Sequence, residues 1–154
     1  LFEASLNGEK LGQEFLAPYL DNYEERLQVL TFPVKQYLRQ ENTLEILLGK
    51  GWYMGVFGMR LQAENYGNRM AAAAELHLEY EDGSEEVIRT DGEWEYYGSD
   101  IVDSGIYDGE ILDRTLWSGR ENERKAVEVL GRPVQGMQKE ISTAAESEPP
   151  AISG

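Results

Sequence analysis

The sequence predicts an all-β fold with little helix, an antiparallel β-sandwich or jelly roll. Apolar residues between turns recur mostly at every second position, as they do in half-buried strands. Turns containing glycine, such as Asn7-Gly8 and Asp82-Gly83, interrupt the chain at short intervals. Helical periodicity is nearly absent. Many short strands joined by frequent turns are typical of sandwiches and jelly rolls.

The first third of the chain contains three predicted strands. Residues 1–6 form the first strand, and Asn7-Gly8 turns the chain back toward Lys10-Leu11, which is the strongest short-range signal for a hairpin. Residues 26–32 form a second strand, and residues 34–39, after Pro33, form a short helical turn. Residues 43–48 are predicted as a strand buried on both faces near its end.

The middle of the chain predicts a second hairpin around Asp82-Gly83, between strands 76–80 and 87–89. The alternation places two sets of side chains on opposite faces of the first of these strands: Leu76, Leu78 and Tyr80 on the apolar face, and Glu75, His77 and Glu79 on the polar face.

Further turns are predicted at Asp91-Gly92 and Asp108-Gly109, a long loop at residues 55–68, and a strand at residues 126–130. We expect residues 1–141 to form the sandwich and residues 142–154, rich in Ala, Ser, Glu and Pro, to be a linker toward further domains. The sequence opens on Leu1 without a signal-peptide pattern. We therefore expect a fragment of a longer chain. The cellular compartment is left open, and the absence of a signal-peptide pattern slightly favours the cytoplasm.

The composition limits the classes of partner. Fourteen basic and 29 acidic side chains give a net charge of −15, which repels phosphate backbones and excludes nucleic acid as a partner. No apolar run approaches the roughly 20 residues that cross a bilayer. Cysteine is absent, so disulfides and thiolate metal sites are excluded. Neutral sugars and divalent cations are compatible with such a surface.

No catalytic motif is evident. His77 is the one histidine, and a triad or a zinc site needs further partners. Neither the Gly-x-Ser-x-Gly elbow nor a glycine-rich phosphate loop occurs. A pair of glycosidase carboxylates is left open, because spacing along the sequence does not establish their separation.

Sugar binding needs an aromatic ring for the apolar face of the sugar and amides or carboxylates for its hydroxyls. Three stretches combine these groups and supply Asn22, Trp52, Tyr53, Asn65 and Tyr66 as candidates. Trp52 follows Gly51 and is either displayed by a loop or packed into the core.

An acidic segment at residues 100–113 offers oxygen ligands of the kind that calcium prefers. It contains Tyr107 and five carboxylates: Asp100, Asp103, Asp108, Glu110 and Asp113. Their spacing does not match an EF-hand loop. A calcium site and a polar turn between strands are the two interpretations.

Short motifs run in a fixed order from residue 6 to residue 152. They are residues 6–12 (LNGEKLG), 16–18 (LAP), Asn22-Tyr23 with Arg26, 41–44 (ENTL), 47–53 (LLGKGWY), 80–84 (YEDGS), Thr90-Asp91 with Trp94, 106–110 (IYDGE), Asp113-Arg114 and 148–152 (EPPAI). In order and spacing this chain resembles the N-terminal domain of bacterial α-L-rhamnosidases.

The resemblance implies a jelly-roll β-sandwich that precedes the catalytic α/α barrel of inverting glycoside hydrolases. The barrel carries the catalytic acid and base, so the resemblance implies a non-catalytic accessory domain whose partners are the other domains of its chain. Related modules bind L-rhamnose, in part through calcium. Carried onto this chain, the matching candidates are Asn22, Trp52, Tyr53 and Tyr107 for sugar, and Asp108, Glu110 and Asp113 for metal.

Three functions follow as hypotheses. The first is the accessory domain, which packs against the catalytic region and contributes to L-rhamnose recognition. The second is an autonomous, calcium-dependent carbohydrate-binding module that uses Trp52 and the acidic loops. The third, a complete small enzyme, has the least support because no catalytic motif is present.

Overall fold

The computed structural model describes residues 1–59, 61–116, 122–131 and 137–139. In these ranges the chain is mostly strand, as predicted, with one helical turn, α1 (Gly51–Met54), and two 3-10 turns, Lys35–Tyr37 and Arg114–Leu116. The strands are β1 (Phe2–Leu6), β2 (Glu9–Lys10), β3 (Leu27–Val29), β4 (Leu44–Leu48), β5 (Glu75–Glu79), β6 (Glu85–Arg89), β7 (Glu95–Tyr96), β8 (Ile101–Gly105), β9 (Gly109–Leu112), β10 (Lys125–Ala126) and β11 (Met137–Lys139).

Strand β1 is the centre of a three-stranded antiparallel sheet in the order β2-β1-β4. The predicted hairpin is confirmed, because Asn7 (φ 56°) and Gly8 (φ 82°) both lie in the left-handed region that a tight two-residue turn requires. The Asn7 side chain ties this turn to the next segment. Its amide donates to the Tyr37 carbonyl oxygen at 2.8 Å, and its oxygen accepts from the Thr43 amide at 2.9 Å.

The core lies against one face of this sheet. Ala4 and Leu6 alternate along β1 and are buried together with Leu11. Half-buried apolar side chains from the following segments pack against them: Phe2, Phe32, Val34, Tyr37, Leu38 and Leu44. The period-two pattern of β1 therefore places its apolar residues as predicted.

The prediction that residues 43–48 are buried on both faces is wrong. Leu44, Ile46 and Leu48 of β4 are half-buried, whereas Glu45 and Leu47 on the opposite face are exposed. That face has polar contacts, since the Tyr97 hydroxyl donates to the Glu45 carboxylate at 2.8 Å. A stretch of apolar residues does not show which segments will pack against it. The sequence therefore could not indicate which face of β4 is covered.

The described chain contains two more hairpins, one predicted as a hairpin around Asp82-Gly83 and one predicted only as a turn at Asp108-Gly109. Strands β5 and β6 pair antiparallel, and the β5 side chains alternate between half-buried and exposed as expected. Tyr80 follows the strand and is exposed. Strands β8 and β9 pair around the Asp108-Gly109 turn, in which Gly109 has a φ of 75°.

The remaining pairs correct several boundaries. The strand predicted at residues 26–32 is shorter, β3, and it pairs with β11 in parallel, the exception among the otherwise antiparallel pairs of the described chain. The prediction of a strand at residues 126–130 is largely wrong. The strand in this region is β10, which includes only Ala126 of the predicted range and pairs with β7. The helical turn predicted at 34–39 is the 3-10 turn Lys35–Tyr37.

The described part of the loop predicted at 55–68, residues 55–59 and 61–68, is irregular, and a bridge pairs Phe57 with Gln62. The predicted linker at 142–154 lies outside the described residues, and the jelly-roll topology stays a prediction. Within the described ranges no helix is long and apolar enough to cross a membrane.

Candidate functional site

Three segments that the sequence singled out for sugar binding converge in the structure on one aromatic cluster, formed by Tyr23, Tyr53, Phe57 and Tyr66. The Tyr23 ring meets Tyr53 and Tyr66 edge-on, with centroids 5.7 and 5.1 Å apart. Tyr66 lies nearly parallel to Tyr53 and to Phe57, at 6.3 and 6.4 Å. These are favourable geometries for aromatic pairs. All four rings are half-buried, so part of the cluster faces solvent.

Tyr53 is placed by α1, the helical turn that directly follows β4. Two backbone bonds of 3.0 Å, from the Met54 amide to the Lys50 carbonyl oxygen and from Gly55 to Gly51, hold this turn. Gly51 is buried with a φ of 48°, and a Cβ there would lie 2.6 Å from the Leu1 side chain. Glycine at this position therefore allows the chain to turn directly from the sheet into the cluster.

Tyr66 is brought to Tyr53 by the 55–68 loop. The Tyr66 amide donates to the Tyr53 carbonyl oxygen at 3.2 Å. The next residue, Gly67, has no side chain, and a Cβ there would lie 2.3 Å from the Tyr53 hydroxyl oxygen. Gly67 leaves the space that the Tyr53 ring occupies.

Tyr23 is held by a tight turn around Asn22. The Asn22 carbonyl oxygen accepts from the Glu25 and Arg26 amides at 3.0 Å, and its side-chain oxygen accepts from the Glu24 amide at 3.3 Å. The exposed Asn22 side chain therefore has a structural role in this turn. Burial, followed by the negative charge of Asp21, raises the pKa of Tyr23 above its usual value.

Asp21 is the best-connected carboxylate of this region. It accepts from Arg26 Nε at 2.5 Å, from the Asn22 amide at 2.7 Å and from Gln28 Nε2 at 3.3 Å. The hydrogen bond from Arg26 is the main cause that holds the pKa of Asp21 below its usual value. The segment before Tyr23 is thus fixed by a charge-assisted network.

The other sugar-binding candidates lie around this cluster. Trp52 lies on α1 and is half-buried, so it is neither fully exposed to solvent nor packed in the core. Asn65 is exposed and donates to the Gln62 carbonyl oxygen at 2.8 Å, within its own loop. Tyr107 is exposed in the β8–β9 turn, and its hydroxyl oxygen accepts from the Gly58 amide at 3.4 Å.

A cleft of about 160 Å³ separates α1 and the loop from the β8–β9 hairpin. Its lining combines charged, polar and apolar groups: Lys50, Met54, Gly55, Val56, Ala63, Glu64, Asp103, Ser104, Gly105 and Asp108. The Lys50 ammonium lies 2.6 Å from the Asp103 carboxylate. This hydrogen bond is the largest cause of the lowered pKa of Asp103. The lining carries hydrogen-bonding groups suited to the hydroxyls of a neutral ligand.

The three metal candidates are not grouped together in the described residues. Asp108 and Glu110 are exposed, and Asp108 lies over Gly105. Asp113 accepts from the Thr115 amide and hydroxyl at 3.0 and 2.6 Å, and so caps the 3-10 turn that follows it. Among the residues that the structure describes, no three His, Cys, Asp or Glu side chains are grouped to hold a metal ion. Calcium binding by these residues stays a prediction.

Sequence reasoning missed two features of this region. Tyr23 and Phe57 complete the cluster, although only Tyr53 and Tyr66 were candidates, and the Asp-Asn-Tyr stretch was the one signal for Tyr23. The Lys50–Asp103 ion pair joins residues 53 positions apart, and no local pattern indicates it.

Comparisons with known proteins identify the family. The model of the α-L-rhamnosidase N-terminal domain matches residues 1–152. An α-L-rhamnosidase of Streptomyces avermitilis is 37% identical over 114 residues, which cover 73% of this chain and 11% of that protein. One from Formosa agariphila is 31% identical over 118 residues, covering 73% and 12%.

Solved structures agree with the sequence comparisons. The crystal structure of the S. avermitilis α-L-rhamnosidase complexed with L-rhamnose has a TM-score of 0.76 at 32% identity, covering 88% of this chain and 14% of that one. The α-L-rhamnosidase from Aspergillus terreus has a TM-score of 0.83 at 28% identity, covering 90% and 17%. The chain thus spans 11–17% of these relatives. It belongs to the family of α-L-rhamnosidase N-terminal domains, as its ordered motifs predicted.

Proposed function

We propose that this chain is a non-catalytic accessory domain of an α-L-rhamnosidase, and that it packs against the remaining domains of its parent polypeptide. The imbalance between buried and exposed apolar side chains carries this proposal. In the described residues four apolar side chains are buried: Ala4, Leu6, Leu11 and Ala17. Seventeen large apolar side chains are exposed, among them Phe15, Met59, Tyr107, Ile111 and Val129.

Apolar surface of this extent favours association, because its removal from water stabilises a complex by about 25 cal/mol for each Å² buried. The length of the relatives indicates what covers this apolar surface. Since the chain spans only 11–17% of their length, most of such a polypeptide lies outside it. The covering surface is therefore assigned to the same polypeptide.

Four carboxyl groups of the described residues are poorly suited to act as a glycosidase general acid. A glycosidase general acid needs a raised pKa. Neighbouring hydrogen bonds instead lower the pKa of Asp21, Glu75, Asp82 and Asp103. Under this proposal the hydrolytic pair lies in the rest of the parent chain, where removal of terminal L-rhamnose with inversion would first release the β-anomer.

The test compares this 154-residue chain with the full-length enzyme. The full-length enzyme should hydrolyse an aryl α-L-rhamnoside, and the short chain should not. Proton NMR spectra should show β-L-rhamnose as the first product. Hydrogen exchange should show that exposed apolar segments of this domain become protected in the full-length chain. Turnover by the short chain would overturn the non-catalytic role, and unchanged exchange over the whole domain would overturn the packing role.

We also propose that the domain contributes to L-rhamnose recognition. The convergence of Tyr23, Tyr53 and Tyr66 supports this second function, because half-buried rings offer apolar surface to a sugar face. The neighbouring cleft, lined by the Lys50–Asp103 pair, supplies partners for hydroxyls. The relative from S. avermitilis was crystallised with L-rhamnose.

Calorimetric titration with L-rhamnose tests this function, once with calcium and once with a chelator. Saturable binding that Tyr53→Ala abolishes in a folded protein supports recognition by the cluster. Tyr80→Ala is the matched control, since Tyr80 is an exposed tyrosine outside the cluster and the cleft, and its hydroxyl donates to Glu86. Loss of binding in chelator would support the calcium-dependent module, and no heat in a folded sample would overturn sugar binding by this domain.

A further inference from the structure

A short loop carries the densest group of exposed apolar side chains in the described chain. Phe15, Leu16, Tyr19 and Leu20 are exposed by 77%, 55%, 54% and 50%, and they fall within six consecutive residues. We call residues 15–20 the apolar loop. Single exposed apolar side chains need no explanation, but a contiguous group marks an interaction site.

The backbone of the apolar loop is anchored at its centre and near its end. Ala17 is buried, and its carbonyl oxygen accepts from the Phe2 amide of β1 at 2.8 Å. The Tyr19 carbonyl oxygen accepts from the hydroxyl of Tyr23 at 3.3 Å. The loop is thus attached to both the sheet and the aromatic cluster, and these attachments direct its large side chains outward.

Two further features concern the start of the apolar loop. Leu16 has a φ of 58°, a left-handed conformation that a residue with a Cβ rarely adopts. Such backbone strain concentrates at sites of function. The Lys10 ammonium lies 5.0 Å from the centroid of the Phe15 ring, within the range of a cation–π contact. This contact holds the Phe15 ring in one position, which lowers the entropic cost of its burial on association.

The chemistry of the loop favours a protein surface over a sugar. Leu16 and Leu20 offer neither a donor nor an acceptor in their side chains. The two carboxylates that flank the loop in sequence already have partners. Glu14 accepts from the Gln13 amide, and Asp21 accepts from Arg26, Gln28 and the Asn22 amide. Tyr and Phe side chains are enriched at the centres of protein interfaces, as Phe15 and Tyr19 would be here.

We infer that the apolar loop is the face by which this domain docks on an apolar surface of the remainder of its parent chain. The inference rests on the proposed packing role and assigns it to one surface. The remainder of the parent chain is chosen as the surface that covers the loop because this chain spans only 14% and 17% of the two solved relatives.

The test is hydrogen–deuterium exchange of the full-length enzyme and of this chain, followed peptide by peptide. We expect the amides of residues 15–20 to exchange at least about tenfold more slowly in the full-length enzyme. Leu20→Ser should remove this protection in the full-length enzyme and leave the unfolding midpoint of the short chain unchanged. Ile88→Ser, at a position of equal exposure (50%) on β6, is the matched control and should leave the protection intact.

The outcomes separate the inference from the packing role. If the apolar loop exchanges equally in both proteins while another surface becomes protected, the inference is wrong and the packing role stands. If no surface of the domain becomes protected, both are wrong. If Ile88→Ser removes the protection as fully as Leu20→Ser does, the assignment to this loop is also overturned.

Discussion

Substitution of Gly67 by alanine tests whether the aromatic cluster is a close-packed unit. A Cβ at Gly67 would lie 2.3 Å from the Tyr53 hydroxyl oxygen and 2.7 Å from two carbons of its ring. Since carbon atoms pack best at about 3.5–4.0 Å, the ring has to move by roughly 1 Å. That movement disturbs the pairs of Tyr53 with Tyr23 and Tyr66, at 5.7 and 6.3 Å.

The expected cost follows from these contacts. Each aromatic pair contributes about 0.5–1.5 kcal/mol, so loss of both costs about 1–3 kcal/mol, the range typical of overpacking. Replacing glycine by alanine also restricts the unfolded chain, which offsets about 0.4–1 kcal/mol where the native backbone suits alanine. We therefore expect Gly67→Ala to lower the free energy of unfolding by about 0.5–2 kcal/mol.

Urea denaturation of this chain is the assay. Gly131→Ala is the matched control, because a Cβ there meets nothing within 4 Å, and it should be neutral or slightly stabilising. A double-mutant cycle with Tyr53→Ala isolates the contact. If Gly67→Ala costs the same in the Tyr53→Ala background, the clash with Tyr53 is not the cause and the reasoning is refuted.

Two further predictions concern the turn and the charge network. Asn7→Ala removes three side-chain hydrogen bonds and places alanine at a φ of 56°, so it should cost about 2–4 kcal/mol in urea denaturation, whereas Asn65→Ala should cost below about 1 kcal/mol. Equal costs would contradict a special role of this turn. Arg26→Gln should raise the pKa of Asp21 toward its usual value of about 3.9, measured by NMR titration of the carboxyl group. Because the folded pKa of Asp21 is lowered, its contribution to stability is present above the unfolded pKa and lost as pH falls through the folded one. The unfolding midpoint should thus depend less on pH below about pH 4 in Arg26→Gln, and an unchanged acid dependence would contradict the assignment.

The candidate site was predictable only in part. Tyr53 and Tyr66 were candidates because aromatic residues stood beside amides, and the structure places both in one cluster. Asn22 and Asn65 were chosen by the same rule, but their side chains bond within local turns. A residue type shows what a side chain can bind, and its neighbours decide whether that capacity is already used.

The local geometry and the family of this protein follow from the order of its residues. Asn7-Gly8 and Asp108-Gly109 produce their turns because the backbone torsions needed there depend on the residues themselves, and period-two alternation assigns β5 its faces. Tertiary structure alone decided which face of β4 is covered, the parallel pairing of β3 with β11, and the meeting of three tyrosines from distant segments. The physical reason is that these features depend on contacts between residues far apart in the chain, and no local pattern records which partner a face will meet.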